Sequence, residues 1–214
     1  MSGWFAAGES ALFPSRYLGS IGYYAALSAF RYVAVDEAMK FDKRQKSVHR
    51  CRIADTHGEI MLTVPIEKPV SKTNARWCDI LVSGHGNWQH VHWVTLQSAY
   101  GRTPFFEYYA DDFAAIYNSE VLGHPIVAFN RQLDSLLRRL FSIPAEVHYG
   151  APHLADIKAD FRRHEPEFDA QVEYYQVRGA KHGFIPSLSA VDLLFNMGPE
   201  SPLVLAEMAK HLVL

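Results

Sequence analysis

The acidic pair Asp36-Glu37 opens a segment that then carries Lys40, Lys43, Arg44, Lys46, Arg50 and Arg52, six fixed positive charges within 13 residues. The chain as a whole has a formal net charge of −2, so the local sign reverses the global one, and an anionic ligand or acidic partner fits it. The alternative is a solvated surface segment, which is what charge runs commonly are. If a strand begins at Arg50, its side chains alternate, placing Arg50 and Arg52 on one face and Cys51 and Ile53 on the other, inward one. Two parallel guanidiniums repel unless an anion lies between them or acids pair them, and guanidinium suits bidentate phosphate recognition. Asp36 and Glu37 are the available intramolecular partners. Tyr17, Tyr23 and Tyr24, beside Gly19 and Gly22, offer hydroxyls and ring faces to a sugar, with plain loop packing as the alternative.

His85, His90 and His92 cluster within eight residues. On a helix His90 and His92 lie about 200° apart, so one metal ion cannot readily take both, and no metal site is expected. His92 falls mid-face among aromatic residues, a place for a reactive imidazole or for a hydrogen-bonded core histidine. No hydrolase elbow, phosphate-binding loop or dinucleotide glycine pattern occurs. The Pro14…Gly19 loop before a helix has a distant analogy to the first loop of nucleotidyl-transferase-like α/β folds.

The elements that must position these groups begin with a loop punctuated by Pro14 and Gly19, a helix over 21–30 and a buried strand over 31–35, β-branched and aromatic. Asp36 and Glu37 then stand at the carboxyl end of a strand, where open α/β sheets place their ligand crevice. Residues 1–10 read as a loose start. Runs 50–54 and 59–66 around Asp55-Thr56-His57-Gly58 predict an antiparallel hairpin, 67–76 a mobile loop or lid, and 79–83 a short strand. Asn87 is the expected cap of a helix over 88–100, with Trp88, His92, Trp93, Leu96, Ala99 and Tyr100 on one arc. Further helices are expected from Thr103-Pro104 and over 127–141, a charged helical turn over 157–163, and a strand over 171–177. A loop with glycines around Lys181-His182 follows, then a helix capped by Ser187 or Ser189 and a final one from Ser201-Pro202. The fold class is α/β: a mixed sheet of Val33, the 50–66 hairpin, Ile80 and Val172, with helices packed on it and a helical C-terminal part, in a single domain over 1–214.

At 214 residues and 49% hydrophobic content, one domain can bury a sizeable core. With 21 basic and 23 acidic residues the chain lacks the global positive field of sequence-independent nucleic-acid binding. No window approaches the ~18 apolar residues of a spanning helix, and the start lacks the charge and cleavage pattern of a signal peptide. A cytoplasmic protein without membrane insertion is expected. Cys51 and Cys78 are expected as reduced thiols, since two cysteines at that spacing spell neither a disulfide scaffold nor a zinc site. Self-association into a homo-oligomer is left open.

The combination of FPxxYxGxxxYY with Asp36-Glu37, His-Arg-Cys-Arg-Ile at 49–53, Leu-Thr-Val-Pro-Ile at 62–66, WxxxHW at 88–93, Ser-Ala-Tyr…Thr-Pro-Phe-Phe over 98–106 and LSAVDLLFNMGPE at 188–200 resembles the WbqC-like family. The resemblance spans roughly Leu12 to Glu200. Phe13-Pro14 and His49-Arg50 stand where that family usually has Gln-Pro and Asn-Arg. The resemblance implies bacterial cell-surface, O-antigen-like polysaccharide biosynthesis, with aminoacyl (glycyl) or acyl transfer to an amino sugar. The alternatives are a non-catalytic sugar-nucleotide or phosphosugar binding protein and an assembly subunit. The implied substrates are an amino sugar or sugar nucleotide and an activated acyl donor, with no cofactor. Amide formation needs a base for the amine proton and donors for the oxyanion. His92 or a carboxylate of Asp36-Glu37 would be the base. Tyr17 and Tyr23 would contact the sugar, and Lys43, Arg50, Arg52 and Lys181 the phosphates.

Overall fold

A computed structural model of the chain describes residues 8–69, 71, 73–153 and 156–214. Strand β1 (Gly8–Pro14), helix α1 (Ile21–Ser28) and strand β2 (Phe30–Asp36) form a β-α-β unit whose strands run parallel, Ser10 opposite Tyr32 and Pro14 opposite Asp36. The strand therefore starts three residues inside the expected loose start, of which 1–7 lie outside the described residues. Ser10 to Phe13 are all buried, as a strand covered on both faces must be.

Strands β3 (Arg50–Asp55) and β4 (Gly58–Thr63) make the expected hairpin, with Arg50 opposite Thr63 and Asp55 opposite Gly58. Gly58 takes φ of +118° at the turn, a conformation that side-chain-bearing residues rarely adopt. Helices α2 (Trp88–Tyr100), α3 (Phe106–Tyr117) and α4 (Ile126–Leu140) follow. α2 buries Trp88, His92, Leu96, Ala99 and Tyr100, the expected arc. Asn87 is left-handed at φ +47° and makes no side-chain cap; the preceding turn, with Gly86 also at positive φ, sets the entry instead.

Strand β5 (Glu146–Gly150) then pairs in parallel with β2, and β6 (Ala159–Asp160), where a helical turn was expected, pairs in parallel with the other edge of β1. The sheet order is β5-β2-β1-β6. The chain thus builds outward from β1 and then returns to its opposite side, and open α/β sheets with such a reversal hold ligands beyond the carboxyl ends of the strands at that point. Strand β7 (Glu167–Phe168), helices α5 (Gly179–His182), α6 (Ala190–Met197) and α7 (Ser201–Ala209), and strand β8 (Leu212–Val213) complete the chain, β7 and β8 pairing antiparallel. Ser189 is the side-chain cap of α6, and α7 packs on α1.

The α/β class and helical C-terminal part are as the sequence indicates; the sheet membership differs. The hairpin pairs only with itself, so parallel and antiparallel pairings occupy separate sheets. Ile80 lies outside any strand, because 79–83 makes only isolated bridges, Ile66 to Val82 and Leu81 to Pro125. Val172 lies in an irregular segment whose polar groups turn to side chains: Val177 N–H donates to Asn196 Oδ1 (2.9 Å), and the Tyr174 hydroxyl donates to buried Asp192 (2.6 Å). Of the expected lid, 70 and 72 lie outside the described residues, and its far end is fastened where Phe41 N–H donates to Ala75 O (2.9 Å). Among the described residues no helix is long and apolar enough to cross a membrane.

Gly198 joins α6 to the turn before α7 at φ +52°, ψ −123°, and an added Cβ would stand 2.4 Å from the Phe105 ring. Gly198→Ala is expected to cost about 2 kcal/mol or more, combining backbone strain with overpacking. Urea unfolding should show a lower midpoint at unchanged slope.

Candidate functional site

The loop from β1 to α1 is held from several directions. Tyr17 N–H donates to Ser47 O (3.1 Å), Asn130 Nδ2 donates to Ser15 Oγ (3.1 Å) and Val48 O (2.7 Å), and Ala190 N–H donates to Gly19 O (2.9 Å). Gly19 is required by packing, since a Cβ there would approach the Tyr23 ring to 2.9 Å. Ser20 then caps α1, its side chain accepting from Tyr23 N–H (3.1 Å). The first turn of α1 contains no acidic residue, so the positive end of its dipole is not offset from within the helix.

That helix end opens into a cavity of about 370 Å³ at the switch between β1 and β6. Arg16, Lys46, Arg50 and Arg52 line it, together with Ser20, Ser187 and Ser189. Arg50 Nε is buried and unbonded, and neither Arg50 nor Lys46 belongs to an ion pair among the described residues. Arg52 bonds Glu59 (3.2 Å) and Ser187 O (3.0 Å). Apolar Leu18, Met61, Phe168 and Met208 complete the lining, Met61 directly across the hairpin from Arg52. Phe168 reaches in because Gly22 lacks a Cβ, which would stand 3.1 Å from its ring. A cationic wall in which Lys46 and Arg50 lack an acidic partner, beside a helix N-terminus, is an anion site in chemical terms.

A second, more polar cavity of about 900 Å³ adjoins it, lined by Asp36, Arg162 and His164 among others, and sharing Arg16, Ser47 and Glu165 with the first. Arg16 Nη1 is bonded to Glu165 Oε1. Among the described residues no group of His, Cys, Asp and Glu could hold a metal.

The structure brings Arg50, Arg52 and the edge of Tyr17 together in the first cavity, and Cys51 and Ile53 point inward as the strand alternation predicts. Asp36 lines the second cavity. Of the two ways to relieve the hairpin arginines, pairing by Asp36 and Glu37 is not the one taken: Asp36 pairs with Arg162 (2.8 Å), and Glu37 takes a bidentate contact from Arg131, Nε to Oε1 at 3.0 Å. Both are buried. Lys43 is exposed and Lys181 donates to Thr56 O (2.6 Å); neither lines these cavities. Tyr23 is buried, its hydroxyl on Pro14 O (3.2 Å).

His92 also lies outside both cavities, 5% exposed. Its Nδ1 stands 2.7 Å from the Tyr17 hydroxyl, which is 2.5 Å from the Tyr117 hydroxyl. The three side chains thus form one buried polar chain, His92–Tyr17–Tyr117. Burial pushes the Tyr17 and Tyr117 hydroxyls well above their ordinary range.

Arg16 and Glu165 were missed by the sequence reasoning. Arg16 is the one charged residue between Glu9 and Arg31, a signal that a charge in so apolar a stretch has a dedicated place. Glu165, 149 positions away, carries no local signal.

The WbqC-like protein family matches residues 15–160, more than half the chain and the whole of the β1–α1 loop. A curated relative, the uncharacterized protein Rv1507c of Mycobacterium tuberculosis, is 24% identical over 90% of this chain and 95% of its own length. No solved structure matches.

Burial pushes the His92 imidazole down to about 4, against the Thr63 backbone bond that raises it. Unfolded, it titrates near ~6.5. Between these values the unfolded chain binds a proton that the folded chain does not, so stability rises with pH across the window and is lost on acidification. His49, also pushed down by burial, acts in the same direction. Urea unfolding between pH 7 and 4 is expected to lose up to about 3 kcal/mol through His92. His92→Gln should flatten that slope, and an unaltered slope would contradict a buried neutral imidazole.

Proposed function

This chain belongs to the WbqC-like protein family, and from that premise we propose that it binds the phosphate-bearing part of a sugar nucleotide or phosphosugar in the basic cavity at the head of α1. The single observation that carries the reading is the cationic wall of Lys46, Arg50 and Arg52, unneutralised at Lys46 and Arg50, facing a helix N-terminus. Phosphate oxygens would accept from the guanidiniums, and the apolar side chains of Leu18, Met61, Phe168 and Met208 suit the uncharged part of the same ligand. The setting is bacterial cell-surface polysaccharide biosynthesis in the cytoplasm, and the reaction class is aminoacyl or acyl transfer to an amino sugar.

For such transfer the substrate amine must lose a proton as the amide forms. The carboxylates on the cavity walls, Asp36 and Glu165, are better placed for that than His92 or Glu37, which line neither cavity. Both wall carboxylates are held by arginines, Asp36 by Arg162 and Glu165 by Arg16. A second reading, binding without turnover, is supported by the burial of His92 away from both cavities. Calorimetry with nucleotide sugars and acyl-thioester donors separates the two, because only a transferase should bind both and release amide product.

Arg50→Ala should weaken a nucleotide sugar by more than about 1.5 kcal/mol, the scale of a charge-assisted hydrogen bond, and reduce the salt dependence of binding. Arg50 is on a half-buried hairpin strand facing the cavity, so folding should persist. Equal affinities at low and high salt would remove the phosphate site.

A further inference from the structure

The Arg16–Glu165 pair is asymmetric. The Arg16 side chain is 7% exposed and the Glu165 side chain 60%. Arg16 is fixed: its guanidinium lies over the Tyr23 ring, 5.7 Å from the centroid, and its Nε is buried without a partner. Glu165 sits on the segment between β6 and β7, largely in water. A buried cation left unpaired is costly, whereas an exposed carboxylate loses little on returning to solvent. Arg16 therefore requires an anion beside it at all times, yet the anion need not be Glu165. The same two residues, with Ser47, line both cavities.

We infer that Glu165 stands in for a ligand anion, and that the site selects a diphosphate: one phosphate on Lys46 and Arg50, the other displacing Glu165 from Arg16. The displaced carboxylate moves off Arg16, which leaves Glu165 free where the two cavities adjoin. A single phosphate satisfies Lys46 and Arg50 without disturbing the pair. The inference rests on the phosphate-binding reading above and adds the number of phosphates and the residue that discriminates them.

The test is calorimetric titration of wild type and Glu165→Gln with inorganic phosphate and with pyrophosphate, at matched ionic strength. Glutamine is neutral at an exposed position, so folding is retained. The variant should bind pyrophosphate about 5- to 10-fold more tightly than wild type, the scale of one charge-assisted contact no longer competed for, and phosphate within about twofold of wild type. Glu165→Asp, too short to reach as far, should fall between the two. Tightening of both anions by the same factor reports loss of a background charge and overturns the inference while leaving the phosphate site standing. So does an unchanged pyrophosphate affinity. If neither anion binds wild type or variant, the phosphate site and the inference fail together.

Discussion

The site depends on one obligation, that of the Tyr17 hydroxyl. Tyr17 is 1% exposed, and a phenol buried to that degree must find hydrogen-bond partners or bear its desolvation uncompensated. It finds them in His92 on α2 and Tyr117 on α3, so the loop that carries Arg16 is pinned to two helices distant in sequence. The ring itself packs 5.9 Å from Phe129 on α4. Loops at the surface ordinarily gain freedom from having few such ties; this one is closer to a core element. Leu18 accepts a left-handed φ of +43° within it, a strain that persists where the surroundings over-determine the backbone. His92 thus contributes through positioning, with its neutral form favoured by the same burial.

The distribution of acids around the sheet explains why the first cavity stays cationic. The carboxylates at the carboxyl ends of β2 and β6 are each engaged by an arginine: Arg162 holds Asp36 and Asp160, and Arg131 holds Glu37. Arg131 is on α4, and Arg162 is on the segment after β6, the strand that pairs with β1 in the parallel sheet. The hairpin arginines are left for solvent or ligand, apart from the half-exposed Arg52–Glu59 pair, which at that exposure contributes little. The charge run from Lys40 to Arg52 is thus two things at once. Lys43 is solvated; Arg44 folds back on Asp42, Nη2 to Oδ2 at 2.8 Å; Lys46, Arg50 and Arg52 face the cavity.

The C-terminal segment closes the other side. β7 and β8 pair through Phe168 and Leu212, and α7 lies on α1, which puts Phe168 and Met208 over Gly22. Ser189 N–H donates to Arg52 O (2.7 Å) and Ile21 N–H to Leu188 O (3.0 Å), so the stretch before α6 ties the hairpin to the start of α1. The cavity is therefore assembled from residues between 16 and 61 and between 165 and 208, and folding of the C-terminal part is a condition for its existence.

What the residues determine by themselves is local. The hairpin follows from alternation around Asp55–Gly58, the helix over 88–100 from the 3.6-residue recurrence of its apolar arc, and the inward turn of Cys51 and Ile53 from period two. The family's motifs were legible too, because each is a short run around those same elements. Strand partners and ion-pair partners were not. A run of extended residues such as 171–177 reads like a strand, and whether it enters a sheet is decided by what lies beside it; here Asp192 and Asn196 supply the partners instead. Two-residue β6 has no periodicity to detect, yet it sets the switch point. Asp36 and Glu37 looked like cleft acids for the hairpin arginines, and only the fold delivered Arg162 and Arg131 to them, 126 and 94 positions away. Arg16 meets Glu165 for the same reason: charge partners are chosen by distance in space, and sequence separation carries no record of that distance.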